Sequence, residues 1–385
     1  MKKYLVSGLG ISNGGVGRLM RNLMVQGEAA GFLTISRRSP QPIGQMLNKR
    51  QYLRVAVEMG LRIADNVQFA WRVKGISHAV IVFVHPQTAG FARLLNMVRK
   101  NQVYLYVMDN SFFCIKSYNL HPELEVECLR CVSSPRLALP ACQPFPVKIE
   151  KSKNLEYLER LEAIAHQITF LAQNMSQAEL VRARFGPDTK IRIVGLDTGE
   201  LEQEVRERNS SSSQVIPRYD LVFHGAPQLA KGIRYFIEVS ELLEGYTAFI
   251  PSSRAQCEQV IGRAITANNI TFKECTWETG LKAAIQTSEL VLNPSLWSAP
   301  IEGALQKSIF FAKRVAVVET EFGYEKEFVA SDAFVRLPRN VQAAAVVVQK
   351  LLASPVTTYA DENKVSTIFP QVPVNIFELI VGSEA

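Results

Sequence analysis

The feature that most restricts this chain is a rhythm: short apolar runs alternate with longer amphipathic stretches, and the alternation runs twice, on either side of a serine run. Short apolar runs bounded by turn residues suit strands buried on both faces, and the amphipathic stretches between them suit crossover helices. That pattern builds a parallel sheet covered by helices. In the first half it predicts strands over residues 3–8, 32–36, 79–84, 102–108, 168–172 and 191–194, with helices over 19–30, 154–165 and 177–185. In the second half it predicts strands over 219–225, 247–251, 270–273, 290–294 and 314–318, with helices over 233–243, 255–267, 280–287 and 302–311.

Asn209-Ser210-Ser211-Ser212-Ser213 separates the halves and reads as a hinge. The expected organisation is an N-terminal domain over 1–210, interrupted by a Cys- and Pro-bearing insertion over 112–146, then a second domain over 211–365. A tail over 366–385 is expected to pack back on the first domain. The fold class is α/β: two Rossmann-like, doubly wound parallel-sheet domains facing a cleft, with ligands outside the carboxyl ends of the strands.

Charge is unevenly placed. The chain of 385 residues carries a net +7, yet residues 1–100 hold 15 Lys/Arg against only Glu28, Glu58 and Asp65. From residue 211 on, 15 basic residues face 18 acidic ones. Such asymmetry predicts that one half meets polyanions or an anionic membrane surface. No apolar run is long enough for a spanning helix. The opening Met1-Lys2-Lys3-Tyr4-Leu5-Val6-Ser7-Gly8 reads as a first strand and not as a signal peptide, so the expected location is the cytoplasm.

Three loops carry candidate chemistry. Between the first strand and its helix lies Gly8-Leu9-Gly10-Ile11-Ser12-Asn13-Gly14-Gly15-Val16-Gly17. Its glycines let backbone N–H groups approach a phosphate at a helix N-terminus, and they equally suit a plain tight turn. A dinucleotide fingerprint from Gly8 needs glycine at Asn13 and lacks it, although Arg37 and Arg38 after the second strand would suit a 2′-phosphate. An NADP-dependent oxidoreductase therefore stands as a rival. Lys231, in the strand-to-helix turn Gly225-Ala226-Pro227-Gln228-Leu229-Ala230-Lys231-Gly232, suits a diphosphate as a point charge or a solvated surface position. Glu302 opens a helix after Asn293-Pro294-Ser295-Leu296-Trp297, where the dipole favours an acid.

Taken together, Asn13-Gly14-Gly15-Val16-Gly17-Arg18, Lys231-Gly232-Ile233 and Pro294-Ser295-Leu296-Trp297 through Val315-Ala316-Val317 resemble the motifs of the family-four retaining glycosyltransferases of the GT-B fold. So does Ile193-Val194-Gly195-Leu196-Asp197 before the hinge. The resemblance implies transfer of a hexose from a nucleotide-diphosphate sugar to a hydroxyl of a cell-surface glycan such as a lipopolysaccharide, carried on a lipid. It implies donor contacts from Gly14, Gly15, Val16, Lys231, Ile301, Glu302 and Gly303, and no cofactor for catalysis. Lys231, Glu302 and Asp109 form the implied catalytic set. The chain departs from the family in four places: its arginine falls on Ala226, its paired glutamates on Ala299 and Lys307, and its N-domain histidine on Met108, beside Asp109. A non-catalytic nucleotide-sugar binder fits those departures too.

Cys114, Cys128, Cys131 and Cys142 are spaced C-x13-C-x2-C-x10-C in the insertion, which suits either a structural zinc site or free thiols. His85 ends an apolar strand on the ligand side and suits a sugar contact or a structural role. The basic N-terminal half is expected to hold the protein peripherally at the inner membrane, with residues 53–71 either in the interface or forming a solvated helical face. Nucleic acid is not an expected partner, because aromatics are not interleaved with the basic residues on a sheet.

Overall fold

β-Branched and aromatic residues fill the apolar runs, and each run becomes a strand. The computed structural model describes residues 1–11, 15–41, 43–147, 149–196, 218–354 and 374–382, with only the backbone of Gly15, Val16 and Gln45. Gly14, Asp197 and the serine run lie outside the described residues. The first sheet holds β1 (Lys2–Ser7), β2 (Leu33–Ser36), β3 (Ala79–Val84), β4 (Gln102–Tyr106), β5 (Ile168–Ala172) and β6 (Ile191–Ile193), in the order β2-β1-β3-β4-β5-β6. The second holds β7 (Leu221–Phe223), β8 (Ala248–Ile250), β9 (Ile270–Phe272), β10 (Leu290–Asn293), β11 (Val315–Val318) and β12 (Phe334–Leu337), in the order β12-β11-β10-β7-β8-β9. Every pairing is parallel. The central strands β3 and β10 are buried along their whole length, as strands with helices on both faces must be.

The expected elements form, with edges moved by local chemistry. The helix expected over 255–267 ends at Ile261, because Gly262 takes a left-handed φ of 73° and its N–H returns to the Glu258 carbonyl. The helix expected from residue 280 starts at Lys282, since Gly280 has a φ of 145°. Elements that escaped the alternation pattern include β12 and the helices Ile43–Asn48, Tyr52–Lys74, Phe91–Val98, Val341–Ala353 and Ile376–Gly382.

The insertion is largely irregular, with a short α-helix, Arg130–Ser133, a 3₁₀ turn, Pro135–Leu137, and an isolated bridge between Leu120 and Glu127. It straddles both domains. Phe113, Cys114 and Ile115 belong to the core of the first, whereas Leu120 sits in the core of the second with Tyr118 packed against it. Near the other end of the interface, the Ser176 amide and hydroxyl donate to Glu327 Oε1 at 2.7 and 2.8 Å.

The helix Ile376–Gly382 belongs to the first domain. Ile376, Phe377 and Ile380 are buried with Leu5, Leu19, Leu23 and Phe32. Phe377 meets Phe32 edge-on at 4.7 Å and packs over Gly27. Truncating a buried phenylalanine leaves a cavity worth about 3–5 kcal/mol. Phe377→Ala is expected to lower the denaturation midpoint of the first domain accordingly, measured by denaturant unfolding.

Candidate active site

Between the two sheets lies a cleft of about 580 Å³. Its floor comes from strand ends. His85 to Thr88 follow β3, Val107 to Asp109 follow β4, His224 to Ala226 follow β7, and Ser295 and Trp297 follow β10. The strand order reverses beside β1 and β3 in one sheet and beside β7 and β10 in the other, so the cleft stands where the topology opens a crevice.

Two glycines bring the loops together. At Gly8 an added Cβ would collide with the His85 carbonyl and the Thr88–Ala89 loop, so only glycine lets the end of β1 press against that loop. Gly232 has a φ of 74° and its missing Cβ would strike the Pro294 carbonyl. The Lys231-Gly232 turn therefore lies flat on the loop after β10, and the Leu296 amide donates to the Ala230 carbonyl at 2.9 Å.

This close approach joins Lys231 to Glu302, whose carboxylate takes the ammonium at one oxygen and the Ser295 hydroxyl at the other, the latter at 2.7 Å. The ammonium also lies over the Trp297 ring at 4.9 Å and beside the Tyr118 ring at 5.8 Å. Tyr118 reaches in from the insertion and meets Trp297 edge-on at 4.5 Å. Glu302 is the N-cap of the helix Gly303–Phe311, yet its side chain makes no capping bond. Ile301, Gly303 and Ala304 face the cleft, so the helix presents its positive dipole end there. An anion entering at this point meets an ammonium, first-turn amides and apolar walls.

The remaining polar groups are largely desolvated. Asp109 lines the cleft; the protein packed around its carboxyl raises its pKa, against the hydrogen bond from the Ser111 amide at 2.9 Å. His85 adopts a φ of 55°, a left-handed backbone uncommon outside glycine, and its Nδ1 lies 3.3 Å from the Ser7 hydroxyl. Its Nε2 is buried without a partner, and burial pushes its pKa down to about 4. His224 faces the cleft from the opposite domain, bonded through Nδ1 to Ser308 at 2.8 Å and stacked on Trp277. Burial, with Lys307 nearby, pushes its pKa down to about 3. Lys307 itself lies over the Trp277 ring at 4.5 Å and lines the cleft, so a cation does stand where the resemblance implies a glutamate.

Of the sequence-predicted residues, the structure thus brings together Lys231, Ile301, Glu302, Gly303 and Asp109. Gly15 and Val16 begin the helix Gly15–Ala29, and Gly14 lies outside the described residues. Among the described residues no group of three His, Cys, Asp or Glu side chains is arranged to hold a metal ion, while the thiols of Cys128, Cys131 and Cys142 lie near enough to Cys114 to add to burial in raising its pKa. Cys114, Cys131 and Cys142 are buried free thiols packed in the first domain's core, where they act as small apolar groups, and Cys128 is half-buried. Burial pushes the Cys131 pKa up to about 11 and that of Cys114 higher still. Sequence reasoning missed His224, Tyr118 and Gln173 as cleft residues. His224 follows β7 as His85 follows β3, and that parallel was the available signal.

No known protein family matches the sequence, and no curated protein does. Solved structures do match in fold. Sucrose-phosphate synthase from Thermosynechococcus elongatus superposes with a TM-score of 0.56 at 11% identity, covering 92% of this chain and 90% of that one. An α,α-trehalose-phosphate synthase (UDP-forming) from Burkholderia vietnamiensis gives a TM-score of 0.51 at 11% identity, covering 92% of both. Anabaena HepE, in complex with UDP and glucose, gives 0.50 at 13% identity, covering 100% of this chain and 99% of that one. The fold is the two-domain GT-B arrangement.

The buried histidines set a pH dependence. An imidazole whose pKa is lower in the folded chain than its ordinary value near 6.5 binds fewer protons folded than unfolded, so stability falls as pH drops from about 6.5 toward 4. Glu325 acts in the opposite sense: burial pushes its pKa up to about 7 against an ordinary 4.5, which adds stability over the same acid range. His224→Gln is expected to flatten the acid loss of stability, by up to roughly 1.4 kcal/mol per pH unit, and Glu325→Gln to steepen it. Denaturant unfolding between pH 4 and 7 reads both slopes.

Proposed function

We propose that the protein is a glycosyltransferase that takes a sugar, in the first instance a hexose, from a nucleotide-diphosphate donor bound in the cleft. The observation that carries this is the placement of Lys231 beside the uncapped start of the helix Gly303–Phe311, inside a cleft between two GT-B domains. The solved structures named above include one with UDP and glucose and one described as UDP-forming, so UDP-sugars are the first donors to test.

The residues divide the work by position. The diphosphate lies against Lys231 and the amides of Gly303 and Ala304, where negative charge grows as the bond to the sugar breaks. Glu302 and Ser295 hold the ammonium in place. In this reading Gly15 and Val16, at the start of the helix Gly15–Ala29, contact the phosphates from the first domain. Neutral His85, which lines the cleft and whose buried Nε2 has no partner within the protein, suits a sugar hydroxyl as an uncharged hydrogen-bonding partner once the cleft is occupied. Asp109 stands near the acceptor side. For transfer with retention, the acceptor hydroxyl attacks on the face the diphosphate leaves. The acceptor's oxygen bonds to the anomeric carbon, that carbon's bond to the phosphate oxygen breaks, and the departing phosphate oxygen takes the proton. The acceptor in this reading is a lipid-linked glycan at the cytoplasmic side of the inner membrane.

A second reading, donor binding without turnover, is favoured by one observation: Lys307 occupies the place of an acid. The two separate in one experiment. A thermal-shift panel of UDP-, GDP- and ADP-sugars should show stabilisation by one donor, because a ligand that binds only the folded state raises its melting temperature. Release of the free nucleotide diphosphate from that donor supports transfer, and stabilisation without release supports the binder. Lys231→Ala is expected to weaken the productive step on the order of tenfold or more. Indifference to every donor would sink both readings.

A further inference from the structure

The helix Tyr52–Lys74 is turned away from the protein. Of its 23 residues only Glu58, Phe69 and Val73 are buried. At 100° per residue, Leu53, Val57, Gly60, Ala64, Val67 and Trp71 fall on one stripe facing out, with Tyr52, Met59 and Ile63 beside it. Leu53 is 79% exposed, Ile63 66%, Val67 64% and Trp71 78%. A contiguous apolar face of this size marks a site of interaction.

Charge on this helix is sorted. Glu58 turns inward to Arg38 at 2.9 Å and Arg62 at 3.1 Å, and Asp65 to Arg37 at 2.9 Å. The only other acid in the first hundred residues is Glu28. The outer rim is basic: Lys49 and Arg50 precede the helix, Arg54 stands near its start, and Arg72 and Lys74 near its end, all exposed. Among the described residues no helix is long and apolar enough to cross a membrane.

We propose that this face docks in the plane of an anionic lipid surface, the apolar stripe entering the headgroup boundary while the basic rim meets lipid phosphates. Tyr52 and Trp71, at the two ends, suit the polar–apolar boundary. Charge decides against a second copy of the chain as the occupant: pairing two such faces would set one basic rim against another. The docked face is also tied to the cleft. Asp65 holds the Arg37 guanidinium, which donates to the Thr88 carbonyl in the cleft wall at 3.2 Å. This deepens the proposed function by presenting a membrane-borne acceptor, and rests on it in that respect alone, because docking itself needs no donor and no turnover.

The test is flotation of the full chain, without nucleotide sugar, on phosphatidylcholine vesicles with and without phosphatidylglycerol. The expected result is co-flotation with the anionic vesicles only, weakened by salt, together with a blue shift of the exposed Trp71 emission. Val67→Glu/Trp71→Glu should reduce the bound fraction at least tenfold, with circular dichroism and melting temperature unchanged. Lys49→Glu/Arg50→Glu provides a second variant that leaves the apolar stripe intact and should also release the protein. Equal flotation on both vesicle types would overturn the proposal. So would a lipid-free dimer in sedimentation equilibrium that Val67→Glu/Trp71→Glu dissolves.

Discussion

A buried cluster of amides holds the two domains at their working distance. Asn110 Nδ2 donates to Asn119 Oδ1 at 2.7 Å and to the Ser298 carbonyl at 2.8 Å, while Asn119 Nδ2 donates to the Ser298 hydroxyl at 2.8 Å. The Ser298 amide returns to Asn119 Oδ1 at 3.0 Å, and its hydroxyl donates to Glu127. Glu127 also accepts from the Glu321 amide at 2.6 Å. Pulling the domains apart would leave several of these groups buried and unpaired, at roughly 1–3 kcal/mol each. The width of the cleft follows from this cluster, and so does the reach of Tyr118 across it.

Within that fixed gap, the ammonium of Lys231 cannot stand alone in apolar surroundings, and Glu302 supplies its counter-charge when no anion is bound. The same carboxylate opens a helix, where the dipole stabilises it by about 0.3–1 kcal/mol. One acidic residue thus serves two positive partners. Under the proposed function, an arriving diphosphate would compete for both, which would couple ligand entry to rearrangement of a single side chain.

Much of the fold was legible in the sequence because parallel strands buried on both faces announce themselves locally. β3 and β5 fall where the apolar runs of residues 79–84 and 168–172 put them. The glycine at 232 and the lysine before it were legible as a turn, and Glu302 as a helix start; their meeting was not, since 71 residues separate the ion pair. The insertion was the least legible part. Its Asn119 finds Ser298 across 179 residues, and nothing in local spacing encodes such a partner. Cysteine spacing suggested a metal because C-x2-C pairs often hold one, and three of the four thiols lie among the residues of the first domain's core. The basic and apolar residues of 53–71 gave composition, but which face they occupied required knowing that both acids turn inward.

The helix Ile376–Gly382 has a consequence for how the protein is made. It covers apolar surface on β1 and the helix Gly15–Ala29, elements made far earlier in the chain. During synthesis, domains generally fold as they emerge, the N-terminal one first. Here β1 leaves the ribosome with one flank bare, and it stays bare until the helix Ile376–Gly382 has been made. The second domain can therefore complete its own core before the first is closed, so a chain cut before residue 376 would carry its fault in the first sheet.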